Sequence, residues 1–409
     1  MIVNLYPTMK TAIIGGGAAG FFLAINLKEM MPTMQVNIFE RSHRVLAKVE
    51  VSGGGRCNCT NTFEGIRDLS AVYPRGHRLM KRLFNVFNHQ DAYRWFESHG
   101  VPLTIQDDHC VFPAAQDSHA IIDCFLREAR RHGINIHTRQ PIRKMEELQD
   151  YDFVAVTTGG SPQSKGFDWL RDIGHDIIEP LPSLFSLSTS DPQLKALMGT
   201  VTEQATVALT GTKIRTGGPL LITHWGLSGP AILRLSSHAA RILHECNYHT
   251  TISVNWTGMK ETEVREQLTE MTITHPKQLI TTHAFLGLTQ RLWNHLAEKS
   301  LGSKANGRWG DLGKKDLNRL TNNLTADDVA ITGRAPFRDE FVTCGGVSLS
   351  GIHPTTMESR HRQGLFFAGE VLDIDGVTGG FNFQAAWTTA FVAAQTIATA
   401  SAHPVPYQS

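Results

Sequence analysis

Residues 10–30 read KTAIIGGGAAGFFLAINLKEM, and the fold turns on how the glycines in that stretch are spaced. The apolar run 12–14 is short and bounded by glycine, as a buried parallel strand is. Gly15, Gly17 and Gly20 then fall in the G-x-G-x-x-G spacing. The first allows a tight turn, the second lets a pyrophosphate approach the backbone, and the third lets helix and strand pack closely. Ala18 and Ala19 open a helix whose free N–H groups and positive dipole end would face phosphates. That helix carries Phe22, Leu23, Ile25 and Leu27 and is expected to stop near Pro32. QVNIFE at 35–40 reads as a second strand ending in Glu40, where an acid hydrogen-bonds the adenosine ribose. Arg41 follows it and is counted with the site. Strand, glycine turn, helix, strand and terminal acid together imply a dinucleotide-binding opening.

Two distant segments extend that site. Residues 364–384, GLFFAGEVLDIDGVTGGFNFQ, read as a buried strand followed at once by Gly369 and Glu370. A loop with Gly376, Gly379 and Gly380 comes next, and a long apolar helix begins at about Asn382. Such a strand, acid-bearing turn and helix N-terminus converge on the C-terminal edge of a parallel sheet, where ligands bind. In two-part flavoprotein folds this arrangement holds the ribityl chain and pyrimidine edge of a flavin. Backbone N–H groups of Gly380, Phe381 and Asn382 would there stabilise the negative charge of the reduced ring. Residues 151–162, YDFVAVTTGGSP, are another apolar strand, ending in Thr157, Thr158, Gly159 and Gly160. Three segments so far apart imply one ligand the size of FAD. No second G-x-G-x-x-G appears, so a separate NAD(P)H domain is not expected.

VSGGGRCNCTN, residues 51–61, follows Glu40 closely. A redox disulfide is disfavoured because one residue between Cys57 and Cys59 would strain the bridge. A metal site is disfavoured because the pair lacks C-x2-4-C spacing and a partner pair. The favoured reading is a glycine loop, Gly53 to Gly55, laid against the FAD. Arg56 would compensate pyrophosphate charge with help from Lys48, and Asn58 or Asn61 would hydrogen-bond the cofactor.

The 409 residues suggest two or three domains. Lys plus Arg number 39 against 38 for Asp plus Glu, which leaves no electrostatic footprint for nucleic acid. Six irregularly spaced cysteines do not form a secreted disulfide framework. No segment reads as a membrane span; AAWTTAFVAAQTIATA reads as a buried helix. MIVNLYPTMK has no signal-peptide pattern, residues 1–8 read as an upstream-start extension, and a cytoplasmic location is expected. The histidines lack metal-ligand spacing, His238, His244 and His249 included. Arg127, Arg130 and Arg131 read as a solvated helix face.

In the middle, TEQATVALTGTKI and TTISVNW alternate as half-buried antiparallel strands do. GPLLITHWGLSGPAIL reads as strand, glycine turn and a helix from about Pro230. The pattern from 259 to 330 is helical. His224 and Trp225, at a turn, are either substrate-facing or simply packed.

GGGAAG, VSGGGRCNCTN, VFP at 111–113, VTTGG, GPLLITHWGLSGPAIL, TCGGV and GLFFAGEVLDIDGVTGGFNFQAAW span nearly the whole chain. Together they resemble the YhiN-like or BaiN-like flavoproteins, the aminoacetone oxidase family of FAD-binding enzymes. That resemblance implies an α/β fold: a Rossmann-like FAD-binding domain split by an inserted β-barrel-like domain and a small helical domain. The corresponding boundaries are 1–189 and 335–409 for the FAD domain, 190–258 for the barrel and 259–334 for the helices. It implies an FAD-dependent oxidoreductase with NADH or NADPH as candidate donor and a small-molecule substrate. Some relatives oxidise an amino ketone and others reduce unsaturated steroid ketones. Two departures stand out: Cys59 sits where the family commonly has Leu, and His109–Cys110 where relatives often carry Gly-Arg. The candidate cofactor set is Gly15, Gly17, Ala18, Ala19, Gly20, Glu40, Arg41, Lys48, Gly54, Arg56, Cys57, Asn58, Thr158, Gly159, Gly160, Gly369, Glu370, Gly380, Phe381 and Asn382. No catalytic acid or base, metal site or oligomeric state is assigned. The other classes weighed are a flavin-dependent RNA-modifying enzyme and a redox sensor that does not turn over.

Overall fold

The computed structural model describes residues 9–161, 163–335 and 342–402. The extension reading of residues 1–8 lies outside them. The chain divides into two compact units, the described parts of Met1–Leu181 with Val342–Ser409, and of Pro182–Phe341.

The first unit is built on a five-stranded sheet in the order Leu365–Phe367, Phe153–Val156, Lys10–Ile14, Gln35–Phe39, Asn135–His137. Every pairing is parallel, which makes this a Rossmann-like α/β fold. The strands are short and apolar because parallel strands are covered on both faces. Helix Ala18–Met30 starts at Gly17 with no side-chain cap and ends just before Pro32. Every residue from Ala19 to Leu27 is buried, so it is a core helix rather than an amphipathic one. The C-terminal helix Phe381–Ala402 packs along it and is equally buried. Its apolar length is therefore spent inside the protein, and no described helix is long and apolar enough to cross a membrane. Phe22 and Trp387 of these two helices interlock with Trp95 and Phe96 of helix His89–Ser98.

Arg127, Arg130 and Arg131 of helix His119–Arg131 form an exposed face, as their clustering in the sequence suggests. Arg127 and Arg131 both pair with Glu128, whose side chain is 5% exposed. From that exposed face they also neutralise a buried carboxylate.

The second unit holds a seven-stranded antiparallel sheet. Val201–Leu209 and Thr250–Asn255 lie side by side in it, as their alternation predicts. The segment Asp327–Ile331 pairs with Thr250–Asn255, while Gly333–Arg334, two residues on, pairs with Leu187–Ser188 at the other edge. The chain thus passes between Ile331 and Gly333 from one end of the strand order to the other. Pro230 opens helix Pro230–His238, and helices Glu261–Thr274, Gln290–Leu301 and Lys314–Thr325 share one buried cluster with the strands.

Candidate functional site

Strand register builds the site. Ile14 is level with Phe39 and Val156, and Val156 with Phe367. Gly15, Glu40, Thr157 and Ala368 therefore all leave the sheet at one edge, although the sequence spreads them over more than 350 residues.

Gly15 (φ 113°) turns the chain, and its N–H donates to the Phe39 carbonyl at 2.8 Å. A Cβ on Gly15 would lie 2.4 Å from the Thr157 carbonyl oxygen, and one on Gly20 would lie 2.1 Å from that of Gly15. The Thr157 hydroxyl locks the junction by donating to the carbonyls of Ile14 and Gly15. Gly17 differs: a Cβ there would meet nothing within 4 Å. Among the described residues nothing requires glycine at that place.

Glu40 is half-buried, and its carboxylate accepts from the Gly16 N–H (2.9 Å) and the Ser42 N–H (2.8 Å). It thus ties the second strand's end to the glycine turn. Arg41 beside it is exposed. Ala18 and Ala19 form the first turn of the helix, and the Ala19 methyl lies where it leaves Gly369 (φ 79°) no room for a Cβ.

Lys48 was expected beside Arg56, but its ammonium pairs with Glu370 at 2.9 Å, 322 residues away. The other Glu370 oxygen accepts from the Thr343 N–H at 3.0 Å. A Cβ on Gly160 would come within 2.8 Å of that carboxylate. Gly159 and Gly160 thus lie under Glu370, with Thr158 exposed beside them. Arg56 stacks its guanidinium over Phe112 and donates to Gln116 and the Gly53 carbonyl. It braces the loop Gly53, Gly54 and Gly55, all left-handed (φ 57°, 70° and 84°). Around Gly54 and Gly55 no atom of the described residues lies within 4 Å of an added Cβ.

Residues 58–61 run against the start of the C-terminal helix. The Asn58 amide, oriented to satisfy both neighbours, donates to the Thr60 carbonyl and accepts from the Gly380 N–H. Gly380 (φ 86°) would place a Cβ 2.2 Å from the Thr60 carbonyl oxygen. Asn61 donates to Gly379 and accepts from Phe63, so both ends of its amide are held within the protein. Asn382 clasps Gly376 through two 2.8 Å bonds, one in each direction. Phe381 is buried, and its carbonyl accepts from the Tyr73 hydroxyl at 2.8 Å.

Cys57 and Cys59 are free, fully buried thiols. Burial pushes Cys57 up to about 12 and Cys59 well above its ordinary value. The Cys59 thiol donates to the Val111 carbonyl. Neither supplies a thiolate near neutral pH, which removes the nucleophile that dithiol exchange needs.

Four contributors fall outside the candidate set: Thr60, Tyr73, Arg75 and Gln384. Thr60 donates to Gln384 at 2.6 Å inside the core, and Arg75 pairs with Asp375. Thr60 and Gln384 stand inside motifs quoted above, whereas Tyr73 and Arg75 carry no motif. His109 has φ 65°, a left-handed turn that glycine adopts without strain. In the second unit, His224 is exposed and lies edge-on to Trp225. Among the described residues, no three metal-ligating side chains gather.

Comparison with known proteins agrees with this architecture. The model of the HI0933-like protein Rossmann domain matches residues 9–396. A 3-dehydro-bile acid delta(4,6)-reductase of Clostridium scindens is 26% identical over 429 residues, covering 95% of this chain and 99% of the relative. A ribosomal RNA dihydrouridine synthase of Haemophilus influenzae is 27% identical, covering 95% and 98%. Among solved structures, the 3-ketosteroid delta1-dehydrogenase of Sterolibacterium denitrificans shares the fold with a TM-score of 0.50 and 10% identity, covering 97% of this chain and all of that one. The chain belongs to the HI0933-like family of FAD-binding oxidoreductases.

Proposed function

We propose that the protein is an FAD-dependent reductase that saturates a carbon–carbon double bond conjugated to a ketone in a steroid-like substrate, with NADH or NADPH as donor. The near end-to-end match with a bile acid delta(4,6)-reductase carries the substrate class. The residues at the sheet edge fit FAD. Gly17, Gly54 and Gly55 leave open room where a backbone must approach a pyrophosphate. Glu40 directly follows the second strand, where an acid would meet the ribose, and the helix start at Phe381 offers N–H groups. FAD, when bound, carries the hydride between donor and substrate and bears negative charge at its pyrimidine edge when reduced.

The chain's own residues do the rest. The turn from Gly15 to Gly20 and the first turn of helix Ala18–Met30 hold the phosphates. Glu40 and Arg41 hold the ribose. Asn58 and Gly380 set the pyrimidine edge against the helix N-terminus, whose dipole favours negative charge. The Lys48–Glu370 pair joins the two ends of the cofactor domain over Gly159 and Gly160. The un-ionised thiols favour hydride chemistry over thiol exchange.

The test begins with the visible spectrum of the purified protein, followed by anaerobic mixing with NADH or NADPH. The expected result is a flavin band that bleaches with one donor and returns on addition of a 3-keto-4,6-diene steroid. Saturation of the uracil ring in ribosomal RNA belongs to the same reaction class. RNA is therefore the second substrate in the assay, and turnover there without turnover of the steroid rejects the substrate assignment. Bleaching by an amino ketone alone, with oxygen consumed, rejects the reductase reading.

A further inference from the structure

We propose that Arg75 and Asp375 are a positioning pair whose charges set the reduction potential of the bound flavin. The inference rests on the reading above, in which the pyrimidine edge meets the start of the C-terminal helix. Residues 72–76 lie along the loop that leads into that helix. The Val377 N–H donates to the Val72 carbonyl at 2.9 Å. Arg75 and Asp375 form an antiparallel backbone bridge. A Cβ on Gly76 (φ 81°) would come within 2.7 Å of the Ile374 side chain. Beyond the loop, Tyr73 reaches the Phe381 carbonyl. One short segment thus grips the loop at both ends.

Within that grip, Arg75 Nε and Nη2 each donate to a different oxygen of Asp375. The Asp375 side chain is wholly buried and that of Arg75 is 14% exposed. The next residue, Gly376, is the one that Asn382 clasps from the helix's first turn. Two opposite charges therefore sit one residue from a glycine hydrogen-bonded to the helix start. Burial screens them poorly, so each acts on charge developing nearby. Together they largely cancel. Removing Arg75 adds negative field where reduction places negative charge, and removing Asp375 does the opposite. A segment that served only as mechanical support would not distinguish the sign of what is removed.

The experiment is a spectroelectrochemical titration of flavin-loaded wild type, Arg75→Met, Asp375→Asn, Arg75→Lys and the double variant Arg75→Met/Asp375→Asn, with flavin content and circular dichroism as controls. The expected result is a more negative potential for Arg75→Met and a more positive one for Asp375→Asn. Arg75→Lys and the double variant should lie near wild type. Single-variant shifts of the same sign, or none, overturn the proposal. If Arg75→Met does not fold, the sign of the Asp375→Asn shift decides alone. A wild-type protein that cannot be loaded with FAD refutes the underlying site reading, whereas a loaded protein with unmoved potentials refutes only this inference.

Discussion

The two glycine clusters of the first unit, at 15–20 and 53–55, look alike in sequence and stand in different surroundings. Gly15 and Gly20 are pressed against backbone carbonyls that would sit 2.4 and 2.1 Å from an added Cβ. Gly54 and Gly55 have no atom of the described residues within 4 Å of that position, and what favours glycine there is a left-handed backbone. Gly17 belongs to the first cluster by sequence and to the second by environment. It is open on the protein side and its φ of −94° suits any residue. A glycine row therefore mixes three demands: close packing, a left-handed turn, and space kept for something else.

The largest effect that tests this comparison is on stability. Gly20→Ala drives a methyl into the Gly15 carbonyl at the strand–helix junction, where neither backbone can yield. It should cost about 3 kcal/mol, at the upper end for overpacking. Gly54→Ala should cost about 1 kcal/mol, the strain of one left-handed alanine. Urea unfolding of both apoproteins measures the gap. Equal losses would break the distinction between packed and open glycines.

A second, smaller effect separates packing from ligand approach. Gly17→Ala should leave the apoprotein as stable as wild type, since the methyl meets no atom and the backbone is already permissive. It should nevertheless weaken FAD binding at least about tenfold, the cost of about 1.4 kcal/mol of lost contact at the phosphate turn. Flavin fluorescence titration of refolded apoprotein gives the affinity. An unchanged value would take Gly17 out of the cradle and leave the approach to Gly54 and Gly55.

The same contrast explains what the sequence makes legible. The parallel sheet follows from short apolar runs that each end in glycine or acid, because burial on both faces and a tight exit turn leave local marks. Glu40 could be read for the same reason, standing at a strand end a fixed distance from a glycine turn. The direction of Lys48 could not. Its partner Glu370 is 322 residues away, and no local pattern encodes a pairing made only by the sheet's closure. Tyr73, Arg75 and Gln384 share that character. Each is a polar residue satisfied by a group some 300 residues off, so only the folded chain reveals its task. Glu128 was hidden differently: its neighbours Arg127 and Arg131 are exposed as their clustering suggests, but the buried acid they pair with looks like any surface acid in the sequence.

Cys57 and Cys59, which close the second cluster, provide the smallest and most discriminating test. A buried thiol has to stay neutral in the folded chain, whereas in the unfolded chain it ionises around its ordinary value of 9.0. Between there and about 12, where folded Cys57 titrates, the unfolded state has lost protons that the native state keeps. Stability should therefore fall as pH rises through that window, and Cys59, raised well above its ordinary value, adds to the slope. Cys57→Ser/Cys59→Ser removes both groups, so its melting temperature should change less between pH 8 and pH 10.5 than that of wild type. Serine at 59 can keep the bond to the Val111 carbonyl, so the loss at pH 7 should stay near about 1 kcal/mol. Flavin content and turnover should persist, because nothing in the cradle depends on a thiolate. Loss of turnover with full flavin content would mean that the thiols take part in the chemistry, and the cluster at 53–59 would then be more than a shaped loop.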